Sequence, residues 1–242
     1  MEIEGRVALV TGGARRVGRA LALGLARAGA DVIVHHHRSA GDARTIVREI
    51  TSLGRRAVAV TADLATHAEI QRVAAEARAA FGRLDILVHN AARFERAPFD
   101  AITETDWDRV IGVNLKAPFF LTQALLPLLR REGGVIVHIA DLSALQAWPS
   151  YAHHAVSKAG LLHLTAVLAR ALGPAIRVNC IVPGTVLPPE DHDGLDEAGG
   201  PVRKVVAREG SPGDVVAALL YLVRSDFVTG QTVTVDGGRS LL

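Results

Sequence analysis

The chain has 242 residues, a length that can bury one substantial hydrophobic core. Its 27 Lys and Arg residues nearly balance 25 Asp and Glu residues, so the net charge of +2 gives no support for nucleic-acid binding. The single cysteine, Cys180, rules out an internal disulfide and a paired-cysteine metal site. The first residues lack a signal-peptide pattern, and no apolar run reaches the roughly 20 residues of a membrane span. We therefore expect a cytoplasmic protein that binds neither nucleic acid nor a membrane.

Seven short apolar runs alternate with helical patterns along the chain. The runs are mostly continuous in apolar character, which is typical of strands buried on both faces of a parallel sheet. This alternation predicts an α/β fold: a single doubly wound Rossmann domain over residues 1–242, with a seven-stranded parallel sheet and helices on both faces. The predicted strands are Val7–Val10, Val32–Val34, Ala57–Val60, Ile86–Val88, Val135–Ile139, Ile176–Ile181 and Thr232–Val235, and the helical patterns include Arg19–Ala28, Ala43–Leu53, Ala68–Ala80 and Tyr151–Leu172.

A glycine-rich segment follows the first predicted strand and leads directly into a helix. Glycines at such a turn let the backbone approach a pyrophosphate, and the free N–H groups of the helix N-terminus favour an anion. The segment therefore predicts a dinucleotide site. The residues expected to contact the cofactor here are Gly12, Arg15, Arg16, Val17 and Gly18.

The second predicted strand ends in three histidines followed by Arg38 and Ser39, with no acidic residue to bind the ribose hydroxyls. His37, Arg38 and Ser39 instead offer donors suited to a 2′-phosphate, so we expect the cofactor to be NADPH. The three histidines do not predict a metal site, because adjacent residues on a strand point to opposite faces of the sheet.

Further motifs follow in an order that resembles the short-chain dehydrogenase/reductase family over nearly the whole chain. They are Asp63-Leu64, Asn90-Ala91-Ala92, Arg177-Val178-Asn179, Pro183-Gly184, Thr229-Gly230 and Val235-Asp236-Gly237-Gly238. The resemblance implies a homotetramer and a substrate loop at about residues 184–206, which would close over the substrate; a plain surface loop is the alternative. It also implies that the cofactor is contacted by Asp63, Leu64, Asn90, Ala91, Ala92, Lys158, Pro183 and Gly184.

Two catalytic positions depart from the family pattern. The family carries a serine after a central strand and, thirteen residues later, a tyrosine that lies four residues before a lysine. Here Asp141 stands at the serine position and His154 at the tyrosine position, with Lys158 in register. The resemblance implies that Lys158 binds the nicotinamide ribose and that Asn114 orders a proton-relay water. We expect Asp141, His154, Lys158 and Asn114 to be the catalytic residues.

Three residues favour the pteridine reductase branch of the family, of the dihydropteridine and dihydrofolate reductase type. They are Asp141, Arg16 at a usual glycine position, and Phe94, where that branch stacks an aromatic ring on the pterin. The resemblance predicts NADPH-dependent reduction of 7,8-dihydropterins, dihydrofolate included, by hydride transfer to C6 and Asp141-assisted protonation of N5. The residues expected to bind this substrate are Arg16, Phe94, Asp141, Tyr151 and His154.

Two alternatives remain open at this point. The first is an NADPH-dependent carbonyl or 3-oxoacyl reductase with His154 as proton donor, and the second is a non-catalytic NADPH-binding sensor. The cation of Lys158 disfavours a protonated His154 unless Asp141 lies close enough to offset it. Phe94 also has a plainer interpretation as an ordinary core residue.

Overall fold

The computed structural model describes residues 1–131, 133–187 and 203–242. Within them, seven parallel strands form one sheet in the order β3-β2-β1-β4-β5-β6-β7, which confirms the predicted fold class. The strands are β1 (Val7–Val10), β2 (Asp31–His36), β3 (Ala57–Thr61), β4 (Ile86–His89), β5 (Gly134–Ile139), β6 (Ile176–Pro183) and β7 (Thr232–Val235). The strand order reverses direction between β1 and β4, and in such sheets ligands bind at the carboxyl ends of the strands beside this switch.

Helices cover both faces of the sheet, and alternate residues of one strand face opposite helical layers. Ala8 and Val10 of β1 pack in one buried cluster, whereas Val7 and Leu9 pack in the other. Both faces of the central strands are therefore buried, which explains their continuous apolar sequence. The helices are α1 (Arg16–Arg27), α2 (Ala40–Ser52), α3 (His67–Phe81), α4 (Glu104–Ile111), α5 (Ala117–Leu129), α6 (Ala152–Leu172) and α7 (Pro212–Arg224).

A π-helical segment, Gly112–Lys116, joins α4 to α5 without a break. The N-terminus of α4 is held by a capping box, in which Thr103 and Asp106 satisfy each other's backbone N–H groups. Asn114 lies inside the π-helical segment and is 1% exposed. Such wide turns are frequent at functional sites, because they change the direction of a side chain without ending the helix.

Helix α6 begins at Ala152, one residue later than the predicted helical pattern. Pro149–Tyr151 forms a separate 3₁₀ turn before it, so Tyr151 lies outside the helix that carries His154 and Lys158. The geometry of this separate turn, and not helical periodicity, therefore sets the direction of the Tyr151 side chain.

Two helical stretches, Glu104–Leu129 and Pro149–Leu172, are long and apolar enough to cross a membrane by length and composition alone. About half of the first apolar window and a third of the second are buried inside the fold. Helix α5 packs against α3, and α6 packs against β6. Core helices of a globular domain meet the same criteria, so these stretches are weak support for a membrane protein.

Candidate active site

The glycine-rich turn after β1 depends on close backbone approach at two positions. Gly12 has a φ of 62°, in the left-handed region that favours glycine. A Cβ on Gly18 would lie 2.1 Å from the carbonyl oxygen of Gly12, so only glycine lets α1 start so close to the turn. The Asn90 amide donates to the carbonyl oxygens of Thr11 at 2.9 Å and Gly12 at 3.2 Å. Asn90 therefore holds the turn against the end of β4.

His35 supports the same turn, and the sequence analysis did not single it out. Its Nδ1 accepts a hydrogen bond from the Gly12 N–H at 3.2 Å, and its Nε2 lies 3.2 Å from the Ala62 carbonyl oxygen. Nδ1 must therefore be unprotonated, which leaves the proton on Nε2 for Ala62. Burial lowers the pKa of His35 to about 4, which keeps the ring neutral at ordinary pH. The strand alternation that places His35 and His37 on one face could have pointed to this role.

A cleft of about 490 Å³ opens along this turn at the carboxyl ends of the strands. Its wall includes His35, Ala62, Arg93 and Val113, none of which was predicted. Of the predicted cofactor residues, Ser39, Lys158, Pro183 and Gly184 do not line this cavity, and their contacts with the cofactor stay predictions. The predicted residues that do line it are Gly12, Arg15, Arg16, Val17, Gly18, His37, Arg38, Asp63, Leu64, Asn90, Ala91 and Ala92.

The residues after β2 fit a phosphate on the adenosine ribose. Arg38 is exposed on the cleft wall and has no ion pair within the part of the chain that the structure describes. Arg15 lies 3.6 Å from Asp42, and His37 lies 3.7 Å from Asp63, so both are engaged only at the limit of ion-pair distance. Exposed cations around a glycine-rich turn match the charge of a dinucleotide with a 2′-phosphate.

The three consecutive histidines, His35, His36 and His37, do not converge. His36 faces away from His35 and its Nε2 lies 2.8 Å from Thr61 Oγ1. Among residues 1–131, 133–187 and 203–242, no group of three or more His, Cys, Asp or Glu side chains could hold a metal ion. His35 and His37 line the cofactor cleft, whereas His36 contacts Thr61 instead.

Asp141, His154 and Lys158 meet at the carboxyl end of β5. Asp141 Oδ2 lies 2.7 Å from His154 Nε2 and 4.0 Å from Lys158 Nζ, so the carboxylate lies within reach of both nitrogen groups. Lys158 Nζ donates to the Ile139 carbonyl oxygen at 2.9 Å. Asp141 therefore lies close enough to His154 to offset the charge of Lys158, which was the condition for a protonated His154.

The environment keeps Asp141 ionised. Burial raises its pKa, but the hydrogen bond from His154 and the charge of Lys158 outweigh burial and lower the pKa to about 2. The backbone N–H of Ser143 also donates to Asp141 Oδ1 at 3.0 Å, and the Ser143 hydroxyl contacts the same oxygen. Burial lowers the pKa of Lys158, an effect that the charge of Asp141 partly offsets. A protonated carboxyl at Asp141 is therefore not the resting form near neutral pH.

The second ring nitrogen of His154 contacts the backbone of Arg93. His154 Nδ1 lies 2.9 Å from the Arg93 carbonyl oxygen and 3.3 Å from Asn114 Nδ2. Asn114 holds this backbone in place, because its Oδ1 accepts from the Arg93 N–H at 2.8 Å and its Nδ2 donates to the Arg93 carbonyl oxygen at 3.0 Å. Asn114 Nδ2 also contacts Ser157 Oγ at 2.9 Å. Asn114 thus positions the chain beside His154, while its role in ordering a relay water stays a prediction.

Aromatic rings form one wall beside His154. The Phe94 ring lies perpendicular to His154 with 4.8 Å between centroids, and it stacks on Tyr151 at 4.4 Å. Trp148 meets Tyr151 at 6.0 Å. Phe94 is 48% exposed, so its interpretation as an ordinary core residue was wrong. We call Phe94, Tyr151 and Trp148 the aromatic wall.

The predicted substrate loop, about residues 184–206, falls largely on residues 188–202, which lie outside the described residues. At its start, the Gly184 N–H donates to the Val235 carbonyl oxygen at 2.9 Å, which ties this end to β7. Arg16 Nη2 donates to the Leu187 carbonyl oxygen at 2.6 Å. Arg16 also has a φ of 51°, which a non-glycine residue adopts at a cost of about 1–3 kcal/mol. Arg16 therefore connects the glycine-rich turn to the start of this loop.

This combination of a doubly wound sheet, a glycine-turn cleft and a lysine at the adjacent strand end defines a class, the nicotinamide-dependent oxidoreductases. A family model described as enoyl-(acyl carrier protein) reductase matches residues 12–240. The chain belongs to the short-chain dehydrogenase/reductase family.

Relatives match the chain over nearly its whole length. The L-rhamnose 1-dehydrogenase (NAD(P)(+)) of Sphingomonas sp. is 36% identical, with 98% of this chain and 96% of that protein covered. The 3-oxoacyl-[acyl-carrier-protein] reductase of Thermotoga maritima is 33% identical, with 98% of this chain and 99% of that protein covered.

Solved structures also match. A short-chain dehydrogenase from Burkholderia cenocepacia in complex with NADP has a TM-score of 0.92 at 36% identity, covering 99% of both chains. A blue fluorescent protein from a metagenomic library in complex with NADPH has a TM-score of 0.91 at 32% identity, again over 99% of both chains. These comparisons establish the family; they do not assign the chain to its pteridine reductase branch.

Proposed function

We propose that this protein is an NADPH-dependent reductase of carbonyl substrates in which His154 replaces the family's tyrosine as proton donor. The observation that carries the proposal is the 2.7 Å contact between His154 Nε2 and Asp141 Oδ2, with Lys158 4.0 Å from the same carboxylate oxygen. The named relatives that oxidise a sugar or reduce an oxoacyl group support carbonyl chemistry over pterin chemistry.

His154 lies between two oxygen acceptors. Each ring nitrogen lies within 2.9 Å of an oxygen acceptor, the Asp141 carboxylate at Nε2 and the Arg93 carbonyl at Nδ1. A neutral imidazole carries one N–H and would leave one of these contacts without a proton, whereas an imidazolium donates to both. Asp141 remains a carboxylate, so it stabilises the cation and does not compete with it as an acid.

The cofactor would supply the hydride that the carbonyl carbon accepts. The cleft residues Gly12, Gly18 and Arg38 would hold the dinucleotide through backbone approach and charge. His154 is 1% exposed and its Nε2 faces Asp141, so a substrate oxygen would have to share or replace that contact to take the proton as negative charge develops on the oxygen. Lys158 would stabilise the Asp141 carboxylate after His154 has lost its proton. A proton from solvent would then return to His154.

The test is NADPH oxidation by the purified protein with ethyl acetoacetate and acetoacetyl-CoA, together with NADP⁺ reduction by L-rhamnose. Turnover of any carbonyl or sugar substrate that disappears in Asp141→Asn, while NADPH still binds, supports the proposal. NADPH binding without turnover of any substrate would leave the non-catalytic sensor as the better explanation.

A dihydropterin reductase is the second candidate function. The half-exposed Phe94 ring next to His154 and the strained backbone of Arg16 on the cleft wall are the observations that favour it. The Asp141 pKa of about 2 means that protonation of N5 would come from His154 or from a water that the carboxylate orients. Faster turnover of dihydrobiopterin and dihydrofolate than of biopterin, folate and the ketones would select this candidate. Equal turnover of the oxidised and dihydro forms would reject it.

A homotetramer in the cytoplasm, built from one domain over residues 1–242, is part of the proposal. Large apolar side chains are exposed on α5 and α6, at Phe119, Val156 and Val167, and near the C-terminus, at Phe227 and Leu241. Exposed apolar positions of this kind are typical of surfaces between subunits. Light scattering after size-exclusion chromatography should give four times the chain mass of 25.6 kDa. A monomer would reject the tetramer.

A further inference from the structure

Arg239 lies at the end of the aromatic wall, in the 3₁₀ turn Arg239–Leu241. Its guanidinium carbon is 5.8 Å from the centre of the Trp148 ring, and its Nη1 donates to Thr185 Oγ1 at 2.6 Å. Thr185 follows the Pro183-Gly184 element at the end of β6, next to the end of β5 that leads to Asp141. Arg239 is thus part of the same strand edge as the candidate catalytic residues.

A continuous row of rings connects Arg239 to His154. Each neighbour lies 4.4–6.0 Å from the next, from His154 through Phe94, Tyr151 and Trp148 to the Arg239 guanidinium. Trp148 packs on a buried cluster that contains Leu142 and Val182, so the base of the row is fixed by the core. A flat substrate lying along this row would have its reacting group at His154 and its far end at Arg239.

The charge of Arg239 is not balanced by a carboxylate in the described part of the chain. Arg239 lines a small pocket together with two other cations, and both of these are paired. Lys204 pairs with Glu209, and Arg208 pairs with Asp214 at 2.6 Å. Arg239 has no such partner among residues 1–131, 133–187 and 203–242. A half-buried cation gives up hydration, which a second charge-assisted hydrogen bond would restore.

The nearest carboxylate along the chain, that of Asp236, is used elsewhere. Its oxygens accept from the backbone N–H groups of Gly238 at 2.9 Å and Ser240 at 2.7 Å. These bonds fix the turn that carries Arg239 and leave the guanidinium directed at Thr185 and Trp148. A guanidinium held by one hydrogen bond and one ring face keeps further N–H donors in the planar arrangement that matches a carboxylate.

We propose that Arg239 binds a carboxylate on the substrate, so that the enzyme acts on flat ketones that carry a carboxylate at the end opposite the reacting carbonyl. This inference rests on the proposed reductase function and specifies its substrate class. A charge-assisted hydrogen bond of this type corresponds to roughly a tenfold to hundredfold preference for the acid over a neutral ester. The preference is expressed in substrate affinity, because Arg239 acts far from the reacting atoms.

The test uses two acids of different length, 4-acetylbenzoate and 4′-acetylbiphenyl-4-carboxylate, each with its methyl ester. Turnover is followed by NADPH oxidation, and affinity for the protein–NADPH complex by quenching of NADPH fluorescence. The variants are Arg239→Gln, Arg239→Lys, and Arg170→Gln as a matched control on an exposed part of α6. Thermal unfolding shows whether each variant retains its fold, and Arg239→Lys keeps a positive charge at the site if Arg239→Gln does not fold.

The expected result is a preference for at least one acid over its ester in KM and in affinity, with little change in kcat. Arg239→Gln removes the preference, Arg239→Lys keeps part of it, and Arg170→Gln keeps all of it. Equal affinity for acids and esters, no binding of either, or a preference that survives in Arg239→Gln would overturn the inference. Acid-selective binding without turnover would support Arg239 and reject the reductase function, whereas turnover without selectivity would do the reverse.

Discussion

The cofactor cleft and the proton-donor pair lie on the same edge of the sheet, yet they are built differently. The glycine-rich turn keeps the family pattern except for Arg16, which stands at a usual glycine position, and it is fixed by backbone contacts, with Asn90 and His35 as supports. The proton-donor pair departs from the family pattern, and its partners come from β5, α6 and the segment around Arg93. One region can be interpreted from its motif, whereas the chemistry of the other depends on which residues the fold brings within hydrogen-bond distance.

Replacing His154, the proposed proton donor, should show most clearly that the proton-donor pair and the cofactor cleft act independently. His154→Gln is expected to lower kcat roughly 10²- to 10⁴-fold, the usual contribution of a general acid, while leaving NADPH affinity unchanged. The measurements are steady-state kinetics and NADPH fluorescence titration. His153→Gln is the matched control, because His153 is the buried neighbour on the same helix and does not contact Asp141. A full kcat in His154→Gln would place the acid elsewhere.

Acid should weaken the fold partly through His35. Its pKa is about 4 in the folded protein, against about 6.5 for a free histidine. The unfolded chain therefore takes up the proton first, and stability falls as the pH drops through 6.5 and stops falling from this source below about 4. The expected loss is about 3 kcal/mol, from about 1.36 kcal/mol per unit of pKa.

Urea denaturation at several pH values measures this loss, and His35→Gln should make the dependence less steep. His138 adds a similar contribution, since burial and the charge of Lys158 lower its pKa to about 3. His163→Gln, at an exposed position of α6, is the matched control for the loss of a histidine. An identical pH dependence in His35→Gln and the parent protein would contradict the assignment of a neutral, hydrogen-bonded His35.

Gly18→Ala should break the cofactor region and leave the catalytic pair in place. The added Cβ would lie 2.1 Å from the Gly12 carbonyl oxygen and 2.5 Å from Asn90 Nδ2, so the turn must shift. We expect a loss of about 1–3 kcal/mol of stability and a large loss of NADPH affinity. Gly41→Ala is the control, because its Cβ would have no neighbour closer than 4.0 Å. The free energy of unfolding of this variant should be unchanged or slightly higher. Normal NADPH affinity in Gly18→Ala would refute the close-approach argument.

The smallest expected effect concerns the choice of cofactor. Arg38→Ala should raise the KM for NADPH about tenfold and leave the KM for NADH unchanged, because only NADPH carries the 2′-phosphate. Ratios of kcat/KM for the two cofactors measure it. A parallel loss with both cofactors would mean that Arg38 supports the fold of the cleft and does not select the phosphate.

Much of the fold was predictable because the central strands β1, β2, β4 and β5 are buried on both faces. The seven predicted runs matched β1 and β7 at both ends and the other strands to within two residues. The boundary of α6 was less predictable, because Tyr151 belongs to a separate turn after Pro149. His35 and Arg93 were missed because their roles come from contacts with residues distant in sequence, Ala62 and His154, respectively.

The sequence by itself determined the fold class, the glycine-rich turn, the family, and the presence of Asp141 and His154 in register with Lys158. These follow from hydrophobic periodicity and from motif spacing, which are local properties of the chain. Only the tertiary structure decided that Asp141 lies 2.7 Å from His154 and 4.0 Å from Lys158, and that the ring of His154 is enclosed between two oxygen acceptors. Protonation depends on distances between charges, and the fold sets those distances.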